Sequence, residues 1–209
     1  MTKKKLSWYK PGKKITVRDK MQNYTYKLSE PAGKNFAKNF RPQLSPGKIL
    51  ALGAFEGKYM NDGENEFPSE WYTAAKLKGK LSKKADPSVN LFKIKSRQSL
   101  QVWRKNGWIP IVKGDKDVRG WFQWYCRYWI GRRMPVVDEV QIKRWRAFVR
   151  HRGAIVASLR KMPASKRPHT KAELKKHRPK QRQALLQWAY NPFVAYKAAS
   201  KLVKKKVKK

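Results

Sequence analysis

Acidic residues are scarce in this chain of 209 residues: 13 Asp and Glu stand against 52 Lys and Arg, a formal net charge of +39. Such a shortage leaves the surface charges without internal neutralisation. Self-repulsion then works against the compact state, and a polyanionic partner relieves it. Cysteine is nearly absent as well. The single Cys126 excludes an intramolecular disulfide framework and suits a reducing compartment, be it nucleus, cytoplasm or virion interior. No apolar run approaches the ~20 residues that span a bilayer, so no membrane partner is expected. The opening Met1-Thr2-Lys3-Lys4-Lys5-Leu6 lacks the apolar stretch of a secretory signal. Also missing are a Gly-rich phosphate loop, a nucleophile elbow and a placeable Ser/His/Asp set. Neither catalysis, a cofactor nor a small-molecule substrate is therefore expected.

What the chain does have is aromatic mass. Aromatics reach 12% with nine tryptophans, whereas disordered polybasic chains are poor in them. Seven of the nine lie between Trp71 and Trp145, where basic and acidic residues come closest to balance. The excess of charge concentrates after residue 141, where Glu173 is the one acidic residue. A folded aromatic centre with cationic flanks is the simplest division.

Residues 1–47 read as a basic irregular arm, punctuated by Pro11-Gly12, Pro31, Pro42 and Pro46-Gly47 and extended without a core of its own. Only Lys14-Ile15-Thr16-Val17-Arg18 alternates like a strand. Helices are expected from Gly47 to Met60, from Pro68 towards Gly79, and from Ser99, a suitable N-cap, to the stop at Asn106-Gly107. The strongest helical signal runs from about Asp117 to Ile130. There Trp121, Trp124, Tyr125, Tyr128 and Trp129 recur on one face, with Gln123 and Arg127 expected to point outwards. Periodicity on a single face is a packing signature, so these rings are assigned to the core and not to base stacking. Pro135 opens a long helix to about Lys161, residues 161–180 form a cationic linker with no visible core, and a last helix covers Gln181 to Tyr190. The expectation is a mainly α fold: a small orthogonal helical domain over 48–191 with an aromatic-rich core, and irregular basic N- and C-terminal extensions at 1–47 and 192–209.

Candidate phosphate-binding residues follow from clusters of cations. Arg132 and Arg133 sit between two helices, where guanidinium forks and backbone N–H groups suit phosphate. Lys143, Arg144, Arg146, Arg150 and Arg152 recur along the next helix with few acids nearby to neutralise them. Lys166, Arg167, Lys175, Lys176 and Arg178 punctuate the linker, and Lys204, Lys205 and Lys206 end the tail. Asp62, Glu64 and Glu66 could in principle hold a divalent cation for a nuclease, but an acidic loop pairing with the chain's own lysines is the simpler reading. The three histidines, His151, His169 and His177, lack zinc spacing, and no metal is expected.

Six strings occur in a fixed order: Leu52-Gly53-Ala54-Phe55-Glu56-Gly57-Lys58-Tyr59-Met60-Asn61-Asp62, Glu66-Phe67-Pro68-Ser69-Glu70-Trp71, Val102-Trp103-Arg104-Lys105-Asn106-Gly107-Trp108, the run from Arg119 to Arg133, Gln141-Ile142-Lys143-Arg144-Trp145, and the run from Gln181 to Tyr190. The set resembles an uncharacterised group of proteins from fungi, algae and microbes. The resemblance implies one folded unit over 48–191, with the last helix docking back after the basic linker, and it brings no assigned activity. The functional expectation rests on charge: a non-enzymatic, DNA-associated nucleic-acid-binding protein that neutralises phosphates with little sequence reading. Lysines dominate the cations, and lysine acts as a point charge where arginine suits bidentate base contacts. The alternative is a structural component of a large assembly (a virion minor capsid or core protein, or a ribosome-associated protein) whose basic arms tether it to acidic protein surfaces.

Overall fold

A computed structural model describes residues 4–193. Its helices are α1 (Pro46–Leu52), α2 (Ser69–Leu77), α3 (Leu100–Lys105), α4 (Trp121–Trp129), α5 (Pro135–Ala147), α6 (Val149–Lys161), α7 (Lys171–Lys176) and α8 (Pro179–Gln187), preceded by a hairpin of β1 (Lys14–Arg18) and β2 (Asn23–Lys27). The fold is mainly helical around a buried aromatic cluster, as expected. No helix of the described residues is long and apolar enough to cross a membrane.

The N-terminal segment departs from the expected arm. β1 and β2 pair antiparallel, with Ile15 opposite Tyr26 and Val17 opposite Tyr24, so the alternation of β1 sends Ile15 and Val17 to one buried face. Asp19 turns the chain by accepting bonds from the Met21 and Gln22 amides at 2.7 and 2.9 Å. Further along, Phe40 is buried among Trp124, Tyr125, Tyr128 and Trp145, with ring centroids 4.9–5.8 Å apart. The reason is one of area. A short segment with few apolar residues cannot bury them against itself, but Tyr9, Ile15, Tyr26, Leu28 and Phe40 complete the core of the later helices. Gly131 seals the join: its carbonyl accepts from the Ser29 and Glu30 amides at 2.8 and 3.0 Å. With φ at +110°, a Cβ there would lie 1.9 Å from the Glu30 oxygen.

Helix α4 is the axis of the core. Every residue from Trp121 to Tyr128 is buried, so Gln123 and Arg127, expected outside, are inside. The hairpin covers the side they occupy, which a reading of α4 alone could not anticipate. The long helix expected from Pro135 to Lys161 is divided at Phe148 into α5 and α6. The Phe148 ring stacks on Trp188 at 3.9 Å, nearly parallel. The linker at 161–180 is not coreless: α7 starts with a capping box between Thr170 and Glu173 and buries Leu174. The Ser99 cap is as read, its side chain accepting from the Val102 amide at 3.2 Å. The tail beyond residue 193 lies outside the described residues, with Lys204, Lys205 and Lys206.

Candidate nucleic-acid interface

The thirteen carboxylates set the electrostatics: five, Glu56, Glu66, Asp115, Asp117 and Asp138, are buried, and most of the rest accept bonds from groups of the chain itself. Glu66 and Asp117 form a buried hub with two arginines of α4 and the turn after it. Arg127 donates to Glu66 Oε1 at 2.6 Å and to Asp117 Oδ1 at 3.0 Å, and Arg132 donates to the two Asp117 oxygens at 3.0 and 2.5 Å. Two cations and two anions balance, and Tyr26 adds a bond to Glu66 at 2.8 Å. Burial pulls the Arg127 guanidinium down, but Glu66 and Asp117 outweigh it and hold its pKa above the ordinary arginine value. The same holds for Arg132, through Asp117. Asp138 accepts from Trp124 Nε1 and the Met134 amide, both at 2.8 Å. Burial raises its carboxyl above the usual range, against those two bonds. Asp62 takes Arg119, and Glu64 takes Lys76 at 2.6 Å. The acidic trio of the sequence therefore separates: Asp62, Glu64 and Glu66 each serve a different cation.

Ion pairs among the described residues engage Lys76, Arg119, Arg127 and Arg132. Most of the positive charge is left facing outwards. Part of it borders a groove of about 1340 Å³. Its apolar lining includes Trp103, Trp108, Trp121, Phe122, Phe148 and Trp188, its cations are Lys95, Arg97, Arg144, Arg150 and Lys180, and no carboxylate lines it. One wall is a column of rings running out of the core: Tyr125 to Trp121 at 5.1 Å, Trp121 to Trp188 at 4.5 Å, and Trp188 to Phe148 at 3.9 Å, all near parallel. Arg144 and Arg150 lie over Trp188 and Phe148, each 5.6 Å from the ring centroid.

Another part of the lining, residues 94–99, is held by buried polar groups. Glu56 accepts from the Ser96 and Arg97 amides at 2.8 and 3.1 Å. Gln187 of α8 accepts from the Ser96 hydroxyl at 2.8 Å and the Phe55 amide at 3.1 Å. Phe55 and Glu56 both take left-handed backbone, φ +53° and +57°, a strain sustained because these bonds over-determine the segment. Gly120 floors the groove with φ +81°, and a Cβ there would come within 2.9 Å of the Trp103 ring.

The residues singled out from the sequence are distributed unevenly. Arg144 and Arg150 reach the groove. Lys143, Arg146, Lys166, Lys175, Lys176 and Arg178 are exposed, and Arg152 is half-buried. Arg132 is withdrawn altogether, because Asp117 holds it in the hub. Arg133 is largely spent on the fold, its guanidinium 3.8 Å from the Tyr128 ring centroid and bonded to the carbonyls of Tyr128, Arg132, Lys34 and Asn35. Arg167 closes the end of α6 by donating to the Leu159 and Met162 carbonyls at 2.9 and 3.1 Å. Sequence reasoning missed Lys95, Arg97 and Lys180, which come from segments far apart in the chain. It also passed over Trp108, although a tryptophan directly after the Asn106-Gly107 stop falls outside any helical face and so has no stripe to join. No family model, no curated protein and no solved structure matches this chain.

Proposed function

We propose that this protein binds nucleic acid, with DNA as the first substrate to test, by neutralising phosphate charge with little sequence reading and without carrying out a reaction on it. One observation carries the reading. Most of the carboxylates accept bonds from groups of the chain itself, while a groove with five cations and no acid in its lining stays open on the surface. Exposed Lys143, Arg146, Lys175, Lys176 and Arg178 extend the same positive field. An anionic polymer meets no repulsive element in the groove.

Salt dependence is the test. With ~6–10 cations on phosphates, affinity for a random-sequence duplex falls about 10³–10⁵-fold between 50 and 200 mM salt, and sequence changes alter it little. An affinity that is flat across that series, or that collapses when the sequence is scrambled, rejects the proposal.

A further inference from the structure

We infer that the groove accommodates a single-stranded polynucleotide, an unpaired base lying on the ring of Trp108 while the flanking phosphates meet the cations of the rim. The inference rests on the reading of the protein as a nucleic-acid binder and narrows it to one class of substrate and one site.

Three features point to an unpaired strand. Trp108 is 42% exposed, whereas the other eight tryptophans are buried or half-buried. An indole held at the surface of a groove offers a π-face that any base can stack on, whatever the sequence. In a duplex the base faces are already stacked on one another, so this ring has nothing to offer it beyond charge. Second, Lys95, Arg97, Arg144, Arg150 and Lys180 reach the groove from residues 94–99, α5, α6 and α8, and no Asp or Glu lines it. A lining that combines aromatic and cationic groups suits the bases and phosphates of a strand. An acidic peptide would meet the cations but leave the ring unused. Third, the groove is preorganised. The ring column from Tyr125 to Phe148 fixes part of the lining, and the Glu56 and Gln187 bonds fix residues 94–99. Little ordering is then required of the protein on binding. At about 1340 Å³ the groove exceeds the ~300–1,000 Å³ of small-ligand pockets, in keeping with a polymer that passes through.

The experiment uses the full chain and measures fluorescence anisotropy with labelled oligo(dT), oligo(rU) and a DNA duplex of equal length, beside intrinsic tryptophan emission. Either single strand is expected to bind more tightly than the duplex and to quench the emission. Trp108→Ala should weaken single-strand binding about 5- to 150-fold, the equivalent of losing one stacked base, and leave duplex binding unchanged. Trp108→Phe, which keeps a ring, should retain most of the affinity. Because Trp108 is exposed, its replacement leaves the core intact, and an unchanged thermal midpoint verifies this. Salt-sensitive binding of all three nucleic acids that ignores Trp108→Ala overturns the groove inference and leaves the proposed function standing. Poly-L-glutamate displacing oligo(dT) as effectively as unlabelled oligo(dT) also overturns it. Failure of every nucleic acid to bind at low salt overturns both.

Discussion

The hub and the groove use the same side chain for opposite purposes. In the hub, Arg127 and Arg132 are buried and matched one for one by Glu66 and Asp117. In the groove, Arg97, Arg144 and Arg150 line an open surface that no carboxylate shares. The contrast shows how a chain this basic folds at all. Five of its thirteen acids are buried, two of them against the buried arginines, where an unpaired charge is most costly, and most of the surplus cations stay at the surface. Counting cations along a sequence does not separate the two groups; the location of the acids does.

The largest effect should come from breaking the hub. Asp117→Asn leaves two buried guanidiniums with Glu66 alone. It should destabilise the fold by about 3–5 kcal/mol, lowering the thermal midpoint by roughly 6–20 °C in scanning calorimetry. A midpoint within a degree or two of wild type would mean that the hub is not balanced as described. The groove should respond in the reverse manner. Arg150→Gln should leave the midpoint in place while reducing the slope of log affinity against log salt by about 1 for DNA. If it lowers stability and leaves the slope alone, Arg150 belongs with the structural arginines.

The smallest effect concerns pH, at a site between these extremes. His177 pairs with the Ser158 hydroxyl through Nε2 at 3.0 Å, and Arg182 lies 3.4 Å from its Nδ1. Burial first, then Arg182 and Arg178, lower its pKa below the usual 6.5. Between the folded pKa and 6.5 the unfolded chain binds the extra proton, so stability rises with pH in that window and falls on acidification through it. Replacing His177 with Asn should flatten the change in denaturation midpoint between pH 6.5 and pH 5. An unaltered profile would remove His177 as its source.

Where local chemistry suffices, the structure was legible in the sequence. The Ser99 cap, the strand at Lys14–Arg18 and the burial of the α4 tryptophans all follow from spacing within a few residues. The acidic loop was legible in part: Glu64 pairs with a lysine as expected, whereas Asp62 and Glu66 pair with Arg119 and Arg127, which the fold brings in from far along the chain. Illegible was anything that depends on a partner distant in the chain. Gln123 and Arg127 face inwards because the hairpin covers them, the long helix divides at Phe148, whose ring stacks on the distant Trp188, and the aromatic groups of residues 4–47 find a core built almost entirely by later residues.

By itself, then, the sequence determined a helical fold with an aromatic core and a large uncompensated positive charge, since composition and short-range periodicity carry that information. Only the tertiary structure decided which cations are free. Arg132 and Arg150 look alike in the sequence, and the position of Asp117, fifteen residues from one and absent from the other, makes one a core residue and the other part of a groove. A buried charge requires a counter-charge within bonding distance, and the folded chain alone sets that distance.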